Sequence, residues 1–140
     1  MTPVLLDTGV IVALLDRDER HHRACVRAVR EAPGPLVTCE AVIAESCYLL
    51  RAWPKAVSAV LENVERGVFQ VPFRLTGACS AVRALLTKYA QVPMALADAC
   101  LVVLAAELAT PLVLTLDSDF ATYRWGRSRA FENLVTLSRR

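Results

Sequence analysis

Five acidic side chains lie within or directly after apolar segments of this 140-residue chain: Asp7, Glu45, Asp98, Asp117 and Asp119. A carboxylate in apolar surroundings costs several kcal/mol unless a positive group offsets its charge. The segments that carry these acids contain no matching set of lysines or arginines. A divalent metal ion is therefore the partner that this pattern predicts.

Helical geometry separates Glu45 and Asp98 from the other acids. Residues three and four positions away share a helix face, and here those neighbours are apolar: Ala41, Val42, Tyr48 and Leu49 for Glu45, and Met94, Ala95, Leu101 and Val102 for Asp98. Both acids are expected past the first turn of their helices, which excludes a capping role. Each belongs either to a functional site or to a buried salt bridge with an arginine from elsewhere.

Asp7 and Asp117 each follow a short apolar run that predicts a buried strand. The carboxyl ends of parallel strands form the edge of a sheet where ligands bind. Asp7 could instead cap the following helix, and Asp117 or Asp119 could serve in a turn. Four converging carboxylates would raise one another's pKa, and Mg²⁺ or Mn²⁺ would remove that repulsion. Such a site could hydrolyse a phosphodiester with a metal-activated water.

Short apolar runs alternate with helical patterns along the chain, which predicts an α/β fold with a mostly parallel central sheet of four to five strands flanked by helices. The length fits a single domain over residues 1–140. Strands are expected at 4–6, 36–38, 68–73, 112–116 and 134–137. Helices are expected at 10–15, 18–32, 40–51, 54–66, 76–89 and 94–109.

The composition is 55% hydrophobic and 21% charged, which argues against disorder and predicts a covered surface, such as a homodimer interface. The net charge of +2 is too small to indicate nucleic-acid binding by itself. Five scattered cysteines without a C-x-x-C pair predict free thiols in a reducing compartment. No signal peptide is expected, and Asp98 interrupts the longest apolar stretch, so we expect a cytoplasmic protein without a membrane span.

Four segments together resemble the signature segments of PIN-domain proteins, in order and with similar spacing: Val-Leu-Leu-Asp7-Thr8-Gly, Ala-Glu45 followed by Tyr-Leu-Leu, Met-Ala-Leu-Ala-Asp98-Ala, and Thr115-Leu-Asp117-Ser-Asp119-Phe. The resemblance implies a PIN-like three-layer sandwich. It also implies a Mg²⁺- or Mn²⁺-dependent ribonuclease of the kind typified by VapC toxins, with RNA as substrate and a cognate antitoxin as partner.

Carried over by position, the resemblance assigns the catalytic acids as Asp7, Glu45, Asp98 and Asp117. It assigns the metal ligands as Asp7, Asp98, Asp117 and Asp119. Thr8 and Thr115 would support the site by holding a water or a carboxylate with their hydroxyls. The resemblance leaves open whether Asp117 or Asp119 is the principal fourth acid.

Arginines and aromatic residues mix in segment 123–129, a combination that suits single-stranded RNA. We therefore expect Arg124, Arg127 and Arg129 to contact RNA. Asp7-Thr8-Gly9 also spells the aspartic-protease motif, but that fold is all-β and this chain is dominated by helical patterns.

Two functions from different classes fit these residues. The first is a metal-dependent endoribonuclease that acts as the toxin of a toxin–antitoxin pair. The second is a catalytically inactive PIN-like module that binds RNA or regulates another protein. Retention of every acid in the four segments favours the enzyme.

Overall fold

The computed structural model describes residues 1–137 and contains six α-helices within that range. The helices are α1 (Thr8–Leu15), α2 (His22–Arg30), α3 (Glu40–Leu49), α4 (Pro54–Glu65), α5 (Cys79–Lys88) and α6 (Leu96–Leu108). The strands are β1 (Val4–Leu6), β2 (Leu36–Val37), β3 (Phe69–Gln70), β4 (Leu112–Leu114), β5 (Arg124–Trp125), β6 (Arg129–Ala130) and β7 (Glu132–Asn133). Short 3-10 turns span Leu75–Gly77 and Ser118–Ala121.

Five strands form one sheet in the order β3-β2-β1-β4-β7, and every neighbouring pair is parallel. The chain moves outward from β1 through β2 to β3, and then returns across the sheet to β4. Because parallel crossovers are right-handed, this reversal puts α1 to α4 on one face and α5 with α6 on the other. The reversal point lies between β1 and β4, where open α/β sheets bind their ligands. The predicted α/β sandwich is confirmed.

The core is built around the central strands and α6. All three residues of β1 are buried, as expected of a strand covered on both faces. In α6, every residue from Ala97 to Ala105 is buried except Asp98. A helix that is apolar on nearly all sides belongs in the interior, so α6 fixes the position of Asp98 rigidly against the sheet.

Several predicted boundaries differ from the structure. The last helix begins at Leu96 instead of residue 94. The second helix, α2, begins at His22 instead of residue 18, because turns with their own backbone hydrogen bonds occupy the charged segment 16–21. The fifth strand of the sheet is Glu132–Asn133, whereas a strand was expected at 134–137. The antiparallel β5–β6 hairpin was not predicted at all. All three strands are only two residues long: β7 pairs with β4 at the edge of the main sheet, and β5 pairs with β6 in a separate hairpin, so local hydrophobic pattern does not reveal them.

Within residues 1–137, no helix has the length and apolar character needed to cross a bilayer. The longest helix of that range, α6, has 13 residues.

Candidate active site

Four acids line one open cleft of about 380 Å³: Asp7, Glu45, Asp98 and Asp117. The other lining residues are Thr8, Gly9, Leu49, Ala95 and Leu116. Two of the acids follow β1 and β4, and the other two stand on α3 and α6. No lysine or arginine is among the lining residues, so no side chain of the cleft neutralises this negative charge.

Asp7 is the most tightly held of the four acids. Its Oδ2 accepts a 2.6 Å hydrogen bond from the hydroxyl of Thr115, and its Oδ1 accepts a 2.8 Å bond from the backbone N–H of Thr8. Asp7 is therefore the N-cap of α1 and also a wall of the cleft. Burial raises the pKa of Asp7, the two hydrogen bonds lower it, and the charges of Asp117 and Glu45 raise it further.

Thr115 connects two of the acids. Its hydroxyl donates to Asp7 and accepts a 2.9 Å bond from the backbone N–H of Asp117. The side chain of Asn133 in β7 makes two hydrogen bonds to the backbone of Thr115. Its Oδ1 accepts from the Thr115 N–H at 3.2 Å, and its Nδ2 donates to the Thr115 carbonyl at 3.0 Å. The sequence carries no signal for Asn133, since its contact spans 18 residues and depends on the edge strand.

Asp98 lies in the first turn of α6, so the expectation that it stands past the first turn is wrong. Its Oδ2 accepts a 3.1 Å hydrogen bond from the hydroxyl of Tyr123. Burial raises the pKa of Asp98 to about 7, and the nearby charge of Asp7 acts in the same direction. Within residues 1–137 the one ion pair joins Arg66 to Glu62, so the salt bridge considered for Asp98 does not form there.

Glu45 lies on an exposed helix face, which corrects the expectation of an apolar environment for this acid. Its neighbours one turn along α3, Tyr48 and Leu49, are 62% and 48% exposed. The sequence pattern predicted an apolar face around Glu45 on α3 and around Asp98 on α6, but part of that face of α3 is exposed to solvent. Glu45 therefore stands at the open rim of the cleft.

Asp117 is exposed, and its Oδ1 accepts a 2.8 Å bond from the backbone N–H of Asp119. This bond gives Asp117 the turn role that was the alternative to a site role, and Asp117 nevertheless lines the cleft. Asp119 is half-buried and is not one of the residues that line the cleft. Of the two acids, Asp117 is the one that meets Asp7, Glu45 and Asp98.

The donor set fits a hard divalent cation that keeps part of its water shell. No three His, Cys, Asp or Glu side chains of residues 1–137 lie close enough together to hold one ion by themselves. Mg²⁺ in proteins commonly uses one or two carboxylates and several waters, which suits an open cleft of about 380 Å³. Thr8 lines the cleft, and its buried hydroxyl has no hydrogen-bond partner within residues 1–137, which leaves an unsatisfied polar group beside the acids.

The arginines of segment 123–129 lie on and beside the β5–β6 hairpin, and none of them lines the acidic cleft. Arg124 is half-buried, and its Nη1 donates to the backbone carbonyls of Ala121, Thr122 and Tyr123. Arg127 and Arg129 are exposed, and the Arg129 guanidinium lies 5.3 Å from the centre of the Trp125 ring. Arg124 therefore stabilises the local backbone, whereas Arg127 and Arg129 form no ion pair within residues 1–137.

Comparison with known proteins agrees with this geometry. The family model of the PIN domain matches residues 4–126. Ribonuclease VapC26 of Mycobacterium tuberculosis is 30% identical over 116 residues, which cover 81% of this chain and 86% of that protein. The crystal structure of VapC20 of Mycobacterium tuberculosis, described as a toxin that cleaves the sarcin-ricin loop, superposes with a TM-score of 0.78 at 17% identity. That superposition covers 85% of this chain and 93% of VapC20 and shows a shared fold. The chain belongs to the PIN-domain family.

Proposed function

We propose that this protein is a metal-dependent endoribonuclease that hydrolyses RNA phosphodiester bonds and acts as the toxin of a toxin–antitoxin pair. The observation that carries the proposal is the convergence of Asp7, Glu45, Asp98 and Asp117 on one cleft without a cationic side chain. The similarity to Ribonuclease VapC26 supports the choice of RNA as substrate.

Mg²⁺ or Mn²⁺, when bound, would supply the positive charge that activates water and stabilises the oxygens of the reacting phosphate. Asp7, Asp98 and Asp117 would hold the ion together with retained water molecules, with Asp119 supporting through its turn contact with Asp117. Thr115 fixes the orientation of the Asp7 carboxylate with its hydroxyl. Glu45, which lies at the exposed rim of the cleft, would accept a proton from the attacking water.

RNA reaches this acidic cleft only if positive charge elsewhere holds its phosphates. Arg127 and Arg129 are exposed on the hairpin and supply such charge, while Arg124 keeps the hairpin backbone in place. Binding that uses these arginines weakens as salt rises, because each phosphate contact releases counterions.

Cleavage of a mixed RNA pool with Mn²⁺ and with EDTA tests the proposal. We expect cleavage with Mn²⁺, none with EDTA, and none in the Asp98→Asn protein. The matched control is Glu40→Gln, which removes an exposed acid in the first turn of α3 that is not part of the cleft lining. RNA that is bound but left uncut in the presence of Mn²⁺ would instead support the inactive binding module.

We also propose a homodimer that covers the exposed apolar side chains of α3, α4 and their connecting segment. Tyr48, Leu49, Trp53 and Leu61 are 62%, 48%, 56% and 52% exposed. Large apolar side chains exposed together mark protein interfaces. Light scattering should give twice the chain mass of 15.3 kDa, and a mass of one chain at micromolar concentration would contradict the dimer.

A further inference from the structure

Tyr123 is fully buried beside the cleft, and its ring is held from two sides. The Tyr89 and Phe120 rings pack against it edge to face, with ring centres 5.1 Å and 5.2 Å away. Such pairs add stabilisation beyond the area they bury, and a ring held by two of them has little freedom to turn. The position of the Tyr123 hydroxyl is therefore set by the core.

Two hydrogen bonds join Tyr123 to different acid-bearing elements. Its hydroxyl donates to Oδ2 of Asp98 on α6, at 3.1 Å. Its backbone N–H donates to the carbonyl of Asp119 at 3.1 Å, within the 3-10 turn that follows Asp117. Tyr123 thus connects the helix that carries one acid of the cleft to the turn that carries another.

We propose that Tyr123 is a positioning residue that fixes the orientation of the Asp98 carboxylate and its placement relative to Asp117. This inference rests on the proposed function, in which both acids hold the metal ion. Only Oδ2 of Asp98 is engaged by Tyr123, which leaves Oδ1 for a ligand in the cleft. Hydrogen bonds from residues behind a ligating carboxylate commonly change metal affinity or activity by about 10- to 100-fold.

Tyr89 offers a matched control in the same aromatic cluster. Its hydroxyl accepts a 2.9 Å bond from the backbone N–H of Arg124 and makes no bond to an acid of the cleft. Tyr89→Phe and Tyr123→Phe therefore each delete one hydroxyl from adjacent buried rings. Only the second deletion changes what Asp98 contacts.

The test compares four proteins with the wild type: Tyr123→Phe, Tyr89→Phe, Asp98→Asn and the double variant Tyr123→Phe/Asp98→Asn. Mn²⁺ affinity is measured by calorimetry, and cleavage of a defined RNA is followed at several RNA concentrations to separate kcat from KM. We expect Tyr123→Phe to lower kcat and Mn²⁺ affinity by about 10-fold with little change in KM. Tyr89→Phe should stay within about 2-fold of wild type, because its hydroxyl serves the hairpin.

The double variant tests whether Tyr123 acts through Asp98. If it does, adding Tyr123→Phe to Asp98→Asn has no further effect on Mn²⁺ affinity. A further 10-fold loss of Mn²⁺ affinity in that background would overturn the inference, as would equal losses of kcat and Mn²⁺ affinity in Tyr89→Phe and Tyr123→Phe. If Asp98→Asn abolishes cleavage and Tyr123→Phe is like wild type, only the positioning role is refuted. If Asp98→Asn itself cleaves like wild type, the proposed function fails.

Discussion

Replacing Asp98 with asparagine should stabilise the metal-free protein at alkaline pH, although the same change is expected to abolish cleavage. Burial, assisted by the charge of Asp7, raises the pKa of Asp98 from 3.8 to about 7. Below about pH 4 Asp98 is protonated in both the folded and the unfolded state, so burying it carries no desolvation cost for a charge. As pH rises from about 4 to about 7, the unfolded state ionises first and the folded state loses stability relative to it.

The magnitude follows from the two pKa values. Their difference of about 3 corresponds to about 4 kcal/mol at pH 8, which is an upper bound because Asp98 is only partly buried and solvent screens its charge. A carboxylate in the first turn of α6 also gains about 0.5 kcal/mol from the helix dipole, which asparagine loses. Asparagine retains an oxygen that can accept the hydrogen bond from Tyr123. We therefore expect a net gain of about 2 kcal/mol, or about 8 °C in Tm.

Thermal melts of wild type and Asp98→Asn in EDTA at pH 5, 6.5 and 8 measure this effect. The Tm of Asp98→Asn should exceed that of the wild type by a small amount at pH 5 and by a steadily larger amount up to pH 8. Glu40→Gln is the control, because Glu40 is exposed in the first turn of α3 and its replacement loses the dipole interaction without relieving burial. A gain that is equal at pH 5 and pH 8, or a destabilised Asp98→Asn protein at pH 8, would refute the reasoning.

Four further measurements follow from the structure. Mn²⁺ at about 100 times its Kd should stabilise the wild type by about 2.7 kcal/mol, and an unchanged Tm would contradict metal binding. Thr115→Val, which removes the hydroxyl that holds Asp7, should lower cleavage about 10-fold relative to Thr115→Ser; equal rates would disprove this role. Gly34→Ala should lower the free energy of unfolding by about 2 kcal/mol in urea titrations, because its Cβ would overlap the carbonyl oxygen of Thr2. Ala109→Gly should raise Tm by a few degrees, since Ala109 ends α6 with a φ of 52°, where L side chains are strained; a lower Tm would argue against that strain.

Local pattern was enough to predict the order of the main strands and helices. The buried strand Val4–Leu6 and the apolar helix α6 could be predicted from the sequence. The spacing of apolar residues within each segment indicates both the type of element and its burial. The short strands β5 to β7 were missed or misplaced for the opposite reason. Their partners lie far along the chain or across a hairpin, and two residues carry too little hydrophobic pattern to predict a strand.

The acids themselves could be read from the sequence, since Asp7 and Asp117 follow strands and Asp98 interrupts an apolar helix. Tertiary structure decided how each acid is used. It exposed Glu45 at the rim because α3 is only partly covered, and it placed Asp98 at the start of α6. It also brought Tyr123 to Asp98 across 25 residues of sequence. Helix periodicity gives the direction of a side chain from its own axis, whereas burial and hydrogen-bond partners depend on which elements pack against it.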